Sequence, residues 1–128
     1  MKTYAHFDRS EFPLIVVTFT GAKETPENFA EYLQGLYQNY DRKEAFSLVF
    51  DASDAPTPNP SYQQKQAQWM KDHESMIQEY CRGVAYVMPN FLLRNVLKLI
   101  FAIQKNPVPF EVFSKKNEGV SWAKSQLV

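Results

Sequence analysis

The sequence contains a single cysteine, Cys81, so no disulfide can close within the chain and its core must stand without such a staple. It also lacks a charge of one sign, because 14 Lys and Arg are matched by 14 Asp and Glu. Phosphate affinity comes mainly from clustered basic side chains, so this balance argues against a dedicated nucleic-acid binder. The longest apolar run, around Phe91 to Ile103, is broken by Arg94, Asn95 and Lys98, which makes it too short and too charged to span a bilayer. No apolar signal core marks the opening MKTYAHFDRS, and the expectation is a cytoplasmic protein. Internal repeats, low-complexity tracts and linkers are missing as well. Residues 1–128 therefore read as one domain, large enough to bury about two-thirds of its unfolded surface.

What is present is organised around AFSLVFDASDAPTPNPS, residues 45–61. Phe46 to Phe50 are apolar and β-prone, as a strand covered on both faces would be, and Asp51 ends the run. Turn residues and three prolines (Pro56, Pro58, Pro60) then lead to a helix with Asn59 as its N-cap and Pro60 as its first residue. Sites in α/β sheets gather beyond the carboxyl ends of strands, which makes this loop the first candidate for function.

On the amino-terminal side, residues 2–8 alternate as an edge strand, with Tyr4, His6 and Asp8 on one side and Thr3, Ala5 and Phe7 on the other. LIVVTFTG reads as a central strand paired antiparallel with it. Thr25 and Pro26 open a helix that buries Phe29, Leu33, Leu36, Tyr37 and Tyr40. On the carboxyl-terminal side, one helix is predicted from Pro60 to about Arg82, its stripe formed by Tyr62, Gln66, Trp69, His73, Ile77 and Tyr80, with Gly83 as a left-handed stop. A strand over 84–88, a helix over 91–105, a strand over 110–113 and a helix from Asn117 complete the chain. The order predicts an α/β fold, a five-stranded mixed sheet with four helices, largely parallel through right-handed crossovers.

With the segments FPLIVVTFTG, FSLVFDAS, CRGVAYVMPNFLLRNVLKLIF and PFEVFSKKNEGVSWAKSQL, and with Asp51 and Ser53 as an Asp-x-Ser, this order resembles the SpoIIAA-like branch of the STAS superfamily. Those are small bacterial domains named after an anti-sigma-factor antagonist. The resemblance implies a regulatory domain in which a serine at the start of the helix after this strand is phosphorylated by a partner kinase, and in which that helix docks on the partner. Where the family carries Asp-Ser-Ser/Thr-Gly, this chain carries PTPNPSYQ, and Ser61 is the residue at the matching place. The fold is also related to apolar-ligand carriers of the CRAL-TRIO type.

The candidate residues fall into two groups. The first is a docking loop of Asp51, Ser53, Asp54, Thr57 and Asn59 with Ser61 as phospho-acceptor, where a phosphate would meet the unpaired N–H groups of a helix start. Asp51 and Asp54 read as turn residues bonded to backbone amides, since nothing nearby completes a metal or catalytic site. The second group lies on the 91–105 helix, whose apolar residues cover about half the circumference, wider than one core face requires. Phe91, Leu97 and Phe101, with Arg94 and Lys98 alongside, would line or flank a site for a small apolar or acidic amphipathic ligand, or an interface such as a homodimer. His73 and Cys81 read as structural, no nucleophile, base and oxyanion donor can be assembled, and neither enzyme activity nor a metal or cofactor is expected.

Overall fold

Three runs rich in β-branched and aromatic residues meet in the middle of a sheet in the computed structural model, which describes residues 2–128. The strands are β1 (Ala5–Asp8), β2 (Leu14–Phe19), β3 (Phe46–Asp51), β4 (Cys81–Val87) and β5 (Phe110–Phe113). They lie side by side in chain order, β1 antiparallel to β2 and every later pair parallel. The fold is thus α/β with a five-stranded mixed sheet.

The helices are α1 (Pro26–Gln38), α2 (Pro60–Asp72), α3 (Glu74–Tyr80), α4 (Phe91–Ile103) and α5 (Lys116–Ser125), five among the described residues rather than four. The extra one arises because the predicted 60–82 helix breaks at His73. That residue leaves helical geometry (φ −117°, ψ 19°), closes α2 through its backbone N–H to the Trp69 carbonyl, and starts α3. Its ring contributes, with Nδ1 2.8 Å from the same carbonyl. The apolar stripe runs through the break unaltered, so periodicity alone does not reveal it. Gly83 is not a helix stop either: it lies inside β4, where a Cβ would press on Gln126 and Trp122 of the closing segment.

A parallel sheet whose strands follow one another without reversal places all right-handed crossover helices on one face. The first and larger core accordingly lies between that face (Ile15, Val17, Leu48, Phe50, Val84, Tyr86) and helices α1 to α4. Leu14, Val49, Ala85 and Val87 point the other way and are covered by α5 through Ala123. The one-sided stacking makes the helical face thick enough to enclose space.

The hairpin edge is tied to α1 by contacts with few alternatives. Gly35 lets the Phe7 ring lie directly against the helix, where a Cβ would collide with it. Arg9 reaches over the same ring and donates to the Gly35 carbonyl and to Asn39 Oδ1, both at 2.9 Å. Tyr4 departs from the expected alternation: it precedes β1 and turns into the core, packing against Phe19, Phe29 and Tyr32.

Candidate ligand cavity beneath the proline loop

The segment that leaves β3 is held at both ends. Asp51 Oδ1 accepts from the backbone N–H of Ser53 (3.1 Å) and from its hydroxyl (2.7 Å), which closes the turn as the turn-residue reading expected. At the far end Asn59 caps α2, its Oδ1 accepting from the Ser61 amide (3.1 Å), the Tyr62 amide (3.4 Å) and the Ser61 hydroxyl (2.6 Å). The Asn59 amide itself donates to Glu24 Oε1 at 3.1 Å, and Gln63 donates to the Pro58 carbonyl at 3.0 Å. Prolines limit the backbone between these anchors. The loop is therefore a pinned strap whose small and apolar residues Ala52, Ala55, Pro56 and Pro58 face inward.

Under this strap lies a cavity of about 100 Å³. Its floor is a row of rings on three adjacent strands: Phe19 and Phe50 stack with centroids 6.2 Å apart, and Phe50 and Tyr86 with centroids 5.5 Å apart. The walls come from α1, α2 and α4, among them Tyr32, Tyr62, Leu93 and Leu97. No Asp, Glu, Lys, Arg or His lines it among the described residues. Three of its phenols are held neutral: burial drives Tyr32 and Tyr86 above their ordinary values and pushes Tyr4 up to about 12. An ionised guest would be left without a counter-charge, at a cost of several kcal/mol or more, on the order expected for an uncompensated buried charge. An engineered apolar cavity of about 150 Å³ in another protein stays dry and takes up benzene, so this space is of the right order for a small apolar guest.

A second, smaller space of about 40 Å³ continues along the same sheet face beneath α2 and α3, toward the 106–108 turn. Phe50, Gln66, Met70 and Tyr86 line both. Asn106, buried at the far end, donates to the Tyr86 hydroxyl at 3.0 Å. Cys81 lines this second space, where burial pushes its thiol up to about 12, the behaviour of a small hydrophobe rather than a nucleophile.

The two groups of residues expected from the sequence meet here only in part. Leu97 and Phe101 line the first cavity, whereas Phe91, Arg94 and Lys98 do not. Arg94 is occupied elsewhere, donating to the Met88 carbonyl and the Ser114 hydroxyl, both at 2.8 Å. Phe91 is 72% exposed, and Leu92, Leu99 and Ile103 are exposed beside Lys98, so the outer part of the wide apolar face of α4 is uncovered. Ser61, Asp54 and Thr57 are exposed on the outer side of the strap. His73 packs its ring on Trp69, centroids 4.5 Å apart, beside Tyr37. His6 is exposed on the edge strand. Sequence reasoning missed Glu24 and the aromatic floor. The available signal was an aromatic residue at or next to the carboxyl end of three successive strands: Phe19, Phe50 and Tyr86.

Among the described residues, no group of three or more His, Cys, Asp or Glu is placed to hold a metal ion, and no helix is long and apolar enough to cross a membrane. In comparisons with models of known protein families and with curated proteins, nothing matches the chain.

Proposed function

We propose that this protein is a non-enzymatic carrier or sensor of a small apolar molecule, held between the Phe19–Phe50–Tyr86 floor and helices α2 and α4 under the proline strap. The observation that carries this reading is the cavity itself: an apolar space beneath a pinned loop at the carboxyl ends of β2, β3 and β4. Core packing normally leaves few voids larger than a water molecule, and a space of about 100 Å³ in so small a domain invites an occupant. The element order and the parallel sheet with one leading hairpin also support membership of the SpoIIAA-like branch of the STAS superfamily, with its kinship to apolar-ligand carriers.

Native mass spectrometry on protein purified from its own host, followed by denatured intact mass, tests the proposal. A non-covalent adduct lost on denaturation supports it. A bare polypeptide that also fails to take up neutral aromatic probes sinks it. The same native spectrum reports whether the exposed face of α4 pairs two copies.

A second reading, docking of a kinase-like or regulatory partner on the strap, is favoured by Ser61. Its hydroxyl is exposed in the first turn of α2 and engages the cap residue Asn59. A phosphate there would replace that bond and present new charge at the positive end of the helix. Because the strap also roofs the cavity, a partner bound to it would sense what lies beneath. Ser61→Asp should change partner capture with the thermal midpoint nearly unmoved, and unaltered capture counts against this reading.

A further inference from the structure

We infer that the two spaces beneath α2 are lobes of one elongated site, joined at Gln66 and Met70, and that the molecule they take is uncharged and spans both. The inference rests on the carrier reading above and adds the shape and charge class of the guest.

Continuity comes first. The lobes share two ring residues of the floor, Phe50 and Tyr86, and two residues of the α2 ceiling, Gln66 and Met70. Part of the floor and part of the ceiling are therefore common to the two spaces. Met70 is unbranched with a rotatable thioether end, the side chain best able to swing aside or mould to a guest. Gln66 is half-buried one helical turn before it, so its amide can swing over the joint or away.

The charge class follows from what surrounds both lobes. No acidic or basic side chain lines either one among the described residues, and the Cys81 thiol and Tyr86 phenol keep their protons at neutral pH. The nearest basic candidates of α4 are turned away: Arg94 is committed to Met88 and Ser114, and Lys98 is exposed. A carboxylate or sulfonate inside would have no partner. A neutral molecule with one hydrogen-bonding group would have two partners, the Gln66 amide at the joint and the Tyr86 hydroxyl toward the Asn106 end. Aromatic rings line the floor of the larger lobe, so its end of the guest is a flat ring system, and the narrower lobe takes a shorter apolar extension.

Three probes separate the parts of this inference. Naphthalene is neutral and short, a probe for one lobe. N-phenylnaphthylamine is neutral and carries a second ring. Anilinonaphthalenesulfonate has the same skeleton with a fixed negative charge. Methyl NMR of the full chain reads the lobes independently, because Leu93 lines only the larger and Ile77 only the smaller. Naphthalene should shift Leu93 with little effect on Ile77, whereas N-phenylnaphthylamine should shift both at one common affinity. The sulfonate should bind at least about tenfold more weakly, since its charge finds no partner inside. Gln66→Trp, at a half-buried helix position shared by the two lobes, should plug the joint and weaken N-phenylnaphthylamine by about tenfold.

If N-phenylnaphthylamine moves Leu93 but never Ile77, or if the sulfonate binds as well as its neutral partner, the inference is overturned while the carrier reading survives. If the wild-type protein binds neither neutral probe, both fall. The wild-type titrations decide these outcomes even if the tryptophan variant does not fold.

Discussion

The rings of Phe50 and Tyr86 lie face to face on neighbouring strands β3 and β4, centroids 5.5 Å apart and planes 9° apart, and the Tyr86 hydroxyl continues the contact by accepting from Asn106 at 3.0 Å. One residue thus ties the floor of the larger lobe to the end of the smaller. Tyr86→Phe would keep the stack and remove only the hydroxyl, leaving the Asn106 amide buried without that partner. The expected loss is about 1–3 kcal/mol, the usual cost of an unmade buried hydrogen bond, read as a lower urea midpoint with an unchanged slope. Naphthalene binding at the larger lobe should persist. A variant as stable as wild type would show that Asn106 finds another acceptor.

Local chemistry was the legible part of this structure. Thr25 and Asn59 each cap the helix that their identity and the following residues announce, because a cap needs only its own turn. The apolar runs gave the strands and their order of appearance, and the lack of linkers agreed with a single sheet. The break at His73 stayed hidden because the core-facing stripe continues across it from Trp69 to Ile77. The cavity was hidden for a different reason. Its lining is drawn from three helices and from strands far apart in the chain, and each residue, taken singly, looks like ordinary core. Arg94 shows the limit from the opposite side: its place on a basic strip suggested a ligand contact, but its partners, Met88 and Ser114, are set by the tertiary fold.

Gly35 offers a test in which two effects oppose each other. Replacing it with Ala should improve the intrinsic preference of α1 by about 1 kcal/mol. The new Cβ, however, would collide with the Phe7 ring, which is itself held between Tyr32 and the Arg9 guanidinium. Overpacking of that kind costs typically about 1–3 kcal/mol, so the net effect should be destabilising. The double variant Gly35→Ala with Phe7→Leu should recover part of the loss in chemical denaturation. A single variant more stable than wild type would mean that β1 swings away from α1 freely.

Alkaline pH should weaken the fold in a defined window. Burial pushes the Cys81 thiol from 9.0 up to about 12, and it pushes Tyr4 from 10.0 up to about 12. Both groups therefore keep their protons in the folded chain at a pH where the unfolded chain releases them. The stability tied to this difference is complete below about pH 9, declines as pH rises through the unfolded values, and is gone by about pH 12. Urea midpoints measured from pH 8 to 11 should fall, and Cys81→Ala should flatten the slope. In the same range below pH 9, native protein should resist thiol reagents until it unfolds. Rapid labelling of the folded chain would contradict the burial of Cys81.

Glu24 decides how firmly the strap is held. It is 7% exposed, its Oε1 accepts from the Asn59 amide at 3.1 Å, and its Oε2 is buried with no hydrogen-bond partner among the described residues. The carboxylate thus joins the segment before α1 to the cap of α2 while carrying an unsatisfied oxygen. Glu24→Ala removes the acceptor and the misfit together. The lost bond alone would cost about 1–3 kcal/mol, and release of the buried unpaired oxygen offsets part of it, so the stability change should fall at the low end of that range. Ligand exchange should respond far more than stability: with the strap freed at Asn59, on- and off-rates for a neutral probe should rise together, by about tenfold for a contribution near 1.4 kcal/mol, while the Kd moves little. Stopped-flow mixing with N-phenylnaphthylamine measures both rates. Unchanged rates would place the entry route away from the strap, and a Kd weakened in proportion to the off-rate would make Glu24 a support of the bound state rather than a latch on its entrance.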